Sequence, residues 1–275
     1  MEIHVEVAPQ ALWTIPIPGT GYSFPITNTF FMMLVVMAFL LIVGTLIARS
    51  AKLVPSRKQS AFEVIVEFML GIVEGSAGKR LGRQIFPLIG GLFIFILFSN
   101  YLELFPGLGS VGFKHGDEII PFLRPPTSDL NMTLAMSIIS YLVFQYAGLK
   151  AHGFVGRIKH MANPPLLFPL ELISETARLV SLSFRLFGNI FAGDVLLTIM
   201  YAIASAAKFT LIGLLVPVIF LYLEVLIGFI QSLVFALLTM VYIIMATTSS
   251  HDEHAEEHAG EGEAHGYAPA VGASD

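Results

Sequence analysis

Polar residues suited to proton or ion chemistry lie close together in an otherwise apolar stretch, residues 181–197, which reads SLSFRLFGNIFAGDVLL. At about 100° of helical rotation per residue, Ser181, Arg185 and Asn189 share one stripe of a helix. Asp194 follows Arg185 by nine positions and therefore lies on roughly the opposite face. Such a helix carries a fixed cation on one side and a titratable acid on the other.

Arg185 is the residue whose presence most needs an explanation. An arginine near the middle of a membrane costs roughly 2.5–3.5 kcal/mol on insertion scales. A chain tolerates that cost when the charge faces a protein interior or a wet cavity and has a task there. The alternative is a structural arginine that snorkels to the surface or joins an ion pair. These residues alone leave both interpretations open.

The composition places this stretch in a membrane protein. Of the 275 residues, 55% are hydrophobic and 13% are charged, whereas a soluble domain has about 25% charged residues. The net charge is −5, and no basic patch indicates a nucleic-acid partner. The chain has no cysteine. Its N-terminus lacks a basic segment ahead of an apolar core, so it resembles neither a cleaved signal nor a transit peptide.

Long apolar runs predict an all-α polytopic membrane fold. Each run is long enough to cross about 30 Å of hydrocarbon. Arg49 and Lys52 follow the first run, so the positive-inside rule puts that end in the cytoplasm and the N-terminus outside. The expected crossings are about 29–48, 84–105 and 130–149.

A different pattern occupies residues 60–78, between the first two crossings. Glu63, Glu67 and Glu74 interrupt apolar residues that recur at helical spacing. This pattern predicts an amphipathic helix on the cytoplasmic surface rather than a crossing.

The polar stretch itself belongs to a helical pattern over 168–207. A helix of that length measures about 60 Å, twice the bilayer core, so it either breaks or lies strongly tilted. A return helix is expected over about 212–246. Its polar residues Glu224 and Gln231 are seven positions apart and share one face, about 10 Å from each other.

The two ends of the chain differ from this membrane domain, residues 29–247. Residues 1–28 are rich in turn formers and predict a short exposed lead-in. Residues 248–275 are acidic, contain several histidines and predict a disordered tail. The histidine spacing permits metal binding, but adventitious affinity or solubility explains it better, and no metal site is expected.

Three further acids lie near the predicted ends of the crossings. Glu103 is either an interfacial acid or part of a proton uptake route. Asp129 stands where it can cap the helix that follows. Glu171 can pair with Arg178 along the helix surface, with Glu175–Arg178 as the other available pair.

The segment RLFGNIFAGD at 185–194 closely resembles the signature of subunit a of the F-type ATP synthase. The resemblance covers roughly residues 25–247. It implies about five membrane-embedded helices, of which the last two are long, strongly tilted and paired as a hairpin. Four more segments resemble the family and occur in the family's order along the chain: SNYLELFPG at 99–107, PPTSDLNMTLA at 125–135, FPLELIS at 168–174 and IGFIQSLVFALLTMVYIIMA at 227–246.

The resemblance also implies a mechanism. Members of this family hold two offset half-channels against a rotating ring of c subunits, each with one essential carboxylate. The motif places the essential arginine of the family at Arg185. A guanidinium stays charged when partly desolvated, favours the ionised ring carboxylate and repels a proton hopping between half-channels.

Other positions take roles by the same resemblance. Gln231 matches the glutamine opposite the arginine, and Asn189 is a neutral partner one turn away. Asp194 and Glu224 match the two uptake positions, where relatives often have a glutamate and a histidine, so here two acids would share a proton. Leu179 stands where relatives often have proline. The remaining expected pathway residues are Asn100, Glu103, Asp129, Asn131, Glu171 and Ser181.

The implied partners are the c ring, the b subunits of the peripheral stalk, the rest of the synthase and the lipid bilayer. No cofactor is implied, and the absence of a GxxxxGK[ST] loop puts ATP chemistry on other subunits. The implied location is a bacterial plasma membrane, with an organellar membrane as the alternative, and with the C-terminus in the cytoplasm. Two other functions remain open: a secondary transporter that binds an anion at Arg185, and a structural scaffold.

Overall fold

Five long helices and two small hairpins make up the part of the chain that the computed structural model describes, residues 10–16, 23–50, 52, 56–104, 112–115, 118–121, 124–161, 168–206 and 211–248. The hairpins are antiparallel: β1 (Ala11–Pro16) with β2 (Ser23–Thr27), and β3 (Gly112–His115) with β4 (Glu118–Pro121). The helices are α1 (Asn28–Arg49), α2 (Arg57–Glu103), α3 (Leu130–Met161), α4 (Phe168–Ala206) and α5 (Leu211–Thr247).

Each of these five helices is long and apolar enough to cross a membrane. The predicted class, an all-α polytopic membrane protein, is thereby confirmed. The two hairpins were not predicted. The predicted division into lead-in, membrane domain and tail stays a prediction, and residues 249–275 of the tail lie outside the described residues.

Helix α1 begins at a threonine cap and has few neighbours along its length. Thr27 is extended, and its hydroxyl accepts a hydrogen bond from Phe30 N at 3.2 Å. Large apolar side chains beyond the first turns are exposed, including Leu41 and Leu46. A surface of this kind is one that lipid or another membrane helix covers.

Helix α2 is two helices joined at Gly78, whose φ of +73° is a conformation that favours glycine. Arg83 Nε donates to Glu74 Oε1 at 2.7 Å across this break. In the first half, Met69 and Val73 are buried in the cluster that contains residues near the end of α5. The break falls at the residue where the predicted surface helix was expected to end.

Helix α3 also contains a break, at Gly153 with φ +70°. A short 3-10 turn, Pro126–Ser128, precedes the helix. After Gly153 the chain turns back, so that Arg157 covers Gly148. A Cβ atom on Gly148 would lie 3.1 Å from the guanidinium carbon, so any larger residue at this position would crowd the arginine.

Helix α4 is unbroken over 39 residues, which corresponds to about 58 Å. Of the two possibilities that the sequence left open, a break or one long helix, the structure has the long helix. Its inner side is buried through Leu182, Leu186 and Ile190, spaced four residues apart. These side chains pack with Phe235 of α5 in one core cluster. The opposite side of α4 is exposed, and it carries Arg185.

Candidate functional site

Arg185 lies on the exposed side of α4, among apolar side chains. Phe184 beside it is 52% exposed, and Val180 is also exposed. An open, mostly apolar depression lies on α4 towards its N-terminus, lined by residues that include Val180 and Ser181. Within the described residues, no hydrogen bond or ion pair engages Arg185. No described carboxylate therefore neutralises this cation.

An amide pair joins α4 to α5 one turn from Arg185. Asn189 Nδ2 donates to Gln231 Oε1 at 3.0 Å. Gln231 is buried, and in the described part of the chain its Nε2 has no hydrogen-bond partner. The structure thus brings Asn189 and Gln231 together beside the arginine, with one buried donor left free.

Two acids come together further along the same helix pair. Glu224 of α5 is buried against Gly193 of α4, and a Cβ atom at position 193 would overlap its carboxylate. Asp194 is close enough to interact electrostatically with Glu224 and with Arg124, a buried cation from the segment before α3. The small side of α4 at Gly193 is what allows Glu224 to reach this position.

Asn100 belongs to a buried polar cluster near the start of α3. Its Nδ2 donates to Gly228 O at 3.3 Å, and its Oδ1 accepts from Thr127 Oγ1 at 2.9 Å. This amide therefore ties α2 to both α5 and the turn before α3.

Asp129 joins that cluster to α1. One carboxylate oxygen accepts from Thr29 Oγ1 at 2.9 Å. The other accepts from Asn131 N at 2.9 Å and Asn131 Nδ2 at 3.2 Å. Of the two roles considered for Asp129, the contact to Asn131 N is that of a helix cap. Asn131 itself is exposed.

The remaining predicted residues do not join these groups. Glu171 Oε1 lies 3.8 Å from Arg178 Nη2, so the pairing along the helix surface is the arrangement present. Ser181 is exposed on the side of Arg185. Glu103 is the last residue of α2, and the position of its side chain lies outside the described structure.

Sequence reasoning missed several buried polar residues. Glu175 pairs with Arg157 of α3 at 2.7 Å, and not with Arg178 as considered above. The sequence pattern assigns neither Arg157 nor Arg124 to a functional site. The available signal for Arg124 was its position next to the family-like segment at 125–135.

Fold and site together define a polytopic membrane protein with polar groups gathered between two long paired helices. Residues 30–244 match the family model described as ATP synthase A chain. The chain therefore belongs to the ATP synthase A chain family, as the sequence predicted.

Several curated relatives are bacterial. ATP synthase subunit a of Propionigenium modestum, named sodium ion specific, is 38% identical over 227 residues, which are 81% of this chain and 74% of that protein. Subunit a of Desulforamulus reducens is 37% identical over 201 residues, covering 73% and 71% of the two chains. Subunit a of Moorella thermoacetica is 36% identical over 234 residues, covering 84% and 92%. The family's part in ATP synthesis and ion transport across a membrane thus applies to this chain.

Proposed function

We propose that this chain is the proton-channel stator subunit of an F-type ATP synthase and that Arg185 separates two half-channels at the surface of the c ring. The observation that carries the proposal is the exposed cation on an apolar face of α4, with no described carboxylate to neutralise it. A charge so placed is costly in a membrane unless a partner or water meets it. The ring carboxylate is that partner.

Arg185 acts on the ring carboxylate in two ways. Its charge favours the ionised form of a nearby acid, which promotes release of the proton on one side. The same charge repels a proton that would pass directly between the half-channels. A lysine would serve less well, because it can lose its proton when buried and lacks the planar fork.

The uptake half-channel is assigned to the end of the domain that holds Asp194 and Glu224. Two interacting carboxylates titrate as a pair and can pass one proton between them. The positive charge of the buried Arg124 offsets part of the negative charge of these two acids. The other groups assigned to this half-channel are Asn100, Glu103, Asp129 and Asn131.

The release half-channel is assigned to the opposite part of α4. Ser181 precedes Arg185 by one turn on the exposed side, and Glu171 lies about three turns further towards the start of α4. Asn189 and Gln231 form the neutral boundary between the two half-channels, because an amide pair orients water or the guanidinium without itself accepting a proton at neutral pH.

The assembly follows from the same proposal. The chain contacts the c ring through the exposed side of α4, and the b subunits and lipid cover the apolar surface elsewhere. It contributes to the enzyme without binding nucleotide, and it lies in a bacterial plasma membrane with its N-terminus outside and its C-terminus in the cytoplasm. Because the chain belongs to the ATP synthase A chain family, the alternative function as a secondary transporter is not proposed.

Cysteine cross-linking tests the contact with the ring, and the absence of native cysteines leaves no background. Ser181→Cys lies on the exposed side of α4 and Ser183→Cys on its buried side. With a cysteine one helical turn from the ring carboxylate, we expect oxidative cross-linking from position 181 and none from position 183. An assembled, active complex that cross-links from 183, or from neither, would contradict the proposal.

The coupling ion is tested separately, because the relative from Propionigenium modestum is named sodium ion specific. We propose protons for this chain. ATP-driven acidification of vesicles should then keep its rate in sodium-free medium. A requirement for sodium would show that the coupling ion is sodium and not the proton, and it would leave the proposed contact with the ring unaffected.

A further inference from the structure

A stripe of buried polar side chains runs along α3, away from the side of the domain that carries Arg185. Thr133, Ser137 and Ser140 follow Asp129 at intervals of three or four residues, and each is almost fully buried. From Asp129 to Gln145 the stripe extends about 24 Å, against a bilayer core of about 30 Å. We call this set of residues the α3 seam: Asp129, Thr133, Ser137, Ser140 and Gln145.

Hydroxyl groups of α4 and α5 meet the seam. Ser183 Oγ of α4 lies 3.2 Å from Thr133 Oγ1. Thr239 Oγ1 of α5 lies 2.8 Å from Ser140 Oγ. The interior between three helices is therefore lined with hydroxyl groups, which can both donate and accept hydrogen bonds. Thr133, Ser137 and Thr239 donate to carbonyls of their own helices, so a proton would need water to pass from one hydroxyl to the next.

A buried ion pair closes the Gln145 end of the seam. Arg157 Nη2 donates to Glu175 Oε1 at 2.7 Å, and Gln145 Nε2 donates to Glu175 Oε2 at 2.7 Å. The side chains of Arg157 and Glu175 are only 7% and 2% exposed. The guanidinium also lies 5.1 Å from the centre of the Phe144 ring.

Between the seam and the ion pair lies a cavity of about 20 Å³, whose lining includes Ser137, Ser140, Tyr141 and Glu175. That volume accommodates one water molecule where polar partners are present. One water there would link the hydroxyls of α3 to the carboxylate of Glu175. Without a barrier, protons could cross the chain through this interior and bypass the ring.

We propose that the Arg157–Glu175 pair is an ion seal that blocks proton passage along the α3 seam. Arginine does not lose its proton in a protein, so Arg157 keeps a fixed positive charge at the end of the seam. That charge repels a hopping proton, and the hydrogen bonds from Arg157 and Gln145 occupy both carboxylate oxygens of Glu175. The seal goes beyond the proposed function and rests on it only in that a bypass would uncouple rotation.

The backbone of α3 builds this seal. Gly153, at φ +70°, turns the chain back so that Arg157 can reach inward. Gly148 leaves the space that the guanidinium fills. A second cation, Arg178, also lines the cavity, but it is partly exposed and lies 3.8 Å from Glu171. Arg157 is therefore the cation in direct contact with Glu175.

The alternative is that the pair only ties α3 to α4. Passive proton leak separates the two roles, measured in vesicles with the complete membrane sector and with the ring carboxylate replaced by its amide. That replacement removes any leak through the ring, including one caused by Arg185→Ala. Failure of the seal and failure of the proposed function are therefore distinguishable.

The decisive comparison is Arg157→Gln against the double variant Arg157→Gln/Glu175→Gln. With the cation removed, Glu175 can accept and release protons, and we expect the leak to rise about tenfold, as a barrier lowered by ~1.4 kcal/mol gives. The double variant loses the same contact between α3 and α4, but it has no titratable group at position 157 or 175. Its leak should return to that of the unmutated chain. In a second set of vesicles, whose ring keeps its carboxylate, the double variant should also retain ATP-driven pumping.

Three results would overturn the seal. The first is no rise in leak for the assembled Arg157→Gln variant, and the second is a leak in the double variant as high as that of Arg157→Gln. The third is loss of pumping in an assembled double variant. The last would place Glu175 on the working proton path. Arg157→Lys disturbs the fold least, and its leak should lie between those of Arg157→Gln and the unmutated chain, because a buried lysine can lose its proton. Any other order also contradicts the proposal.

Discussion

At the scale of single residues, two arginines within helices show that residue type alone does not determine whether a side chain is exposed or buried in an ion pair. Arg185 is exposed on an apolar helix face, whereas Arg157 is buried and paired with Glu175 at 2.7 Å. The sequence singled out Arg185 because its neighbours form a specific motif. It did not single out Arg157, because the partner of a buried charge is 18 positions away and brought close only by the turn at Gly153.

Gly193→Ala tests the acid pair. The added methyl group would overlap the carboxylate of Glu224, and overpacking of this kind costs about 1–3 kcal/mol. We expect ATP-driven pumping in vesicles to fall roughly tenfold, because a barrier higher by ~1.4 kcal/mol gives that factor. The control is Gly44→Ala in α1, where a Cβ atom meets nothing within 4 Å. Equal rates for the two variants would remove the geometric reason for assigning Glu224 to the pathway.

Gln231→Leu tests the amide pair beside Arg185. The substitution removes the acceptor of the 3.0 Å bond from Asn189. A net loss of ~1 kcal/mol lowers the pumping rate roughly fivefold if the bond acts in the slow step. Ser99→Ala is the control, because Ser99 Oγ is buried and has no partner among the described atoms. A Gln231→Leu complex that assembles and pumps at the Ser99→Ala rate would show the amide pair to be dispensable.

At the scale of elements, glycines set where the helices change direction. The periodic apolar pattern predicted that the surface helix ends near residue 78, and Gly78 has φ +73° there. The break at Gly153 was not foreseen, because nothing in the surrounding apolar pattern marks it. Length and periodicity predicted helix over the residues of α4 but left a break possible. The continuity of α4 depends on packing of Leu182, Leu186 and Ile190 against α5, which the sequence alone does not reveal.

Gly153→Ala tests the turn in α3. A side chain at positive φ costs about 1–2 kcal/mol, so we expect a lower thermal unfolding temperature of the purified complex. Gly91→Ala is the matched control, since Gly91 is helical and a Cβ atom there meets nothing within 4 Å. If both variants unfold at the temperature of the unmutated complex, the turn at Gly153 does not contribute to the fold as described.

At the scale of the whole molecule, the five helices were predictable because each is a long apolar run, and their number needs no knowledge of packing. The polar clusters at Asn100 and Asp129 were predictable only as candidates. Their partners Gly228 and Thr29 are 128 and 100 positions away in the chain. The two hairpins escaped prediction because each pairs only a few residues.

The orientation of the chain is tested by labelling single cysteines. Thr14 in β1 and Lys52 after α1 are both exposed and lie on either side of the first helix. Because basic residues follow α1, Thr14→Cys should react with an impermeant maleimide from outside intact cells and Lys52→Cys only after the membrane is opened. Labelling of both from the same side would contradict a crossing by α1, and the reverse pattern would invert the proposed orientation.

The central claim, that Arg185 is the barrier between two half-channels, is tested most directly by Arg185→Ala. ATP-driven pumping and passive proton leak would be measured in the same vesicles, with assembly of the complex verified. We predict that pumping disappears while the passive leak persists or rises, because the fixed charge that couples the ring carboxylate to the half-channels is gone. Pumping at a near-normal rate in the assembled Arg185→Ala complex would show that this arginine is structural and would contradict the account.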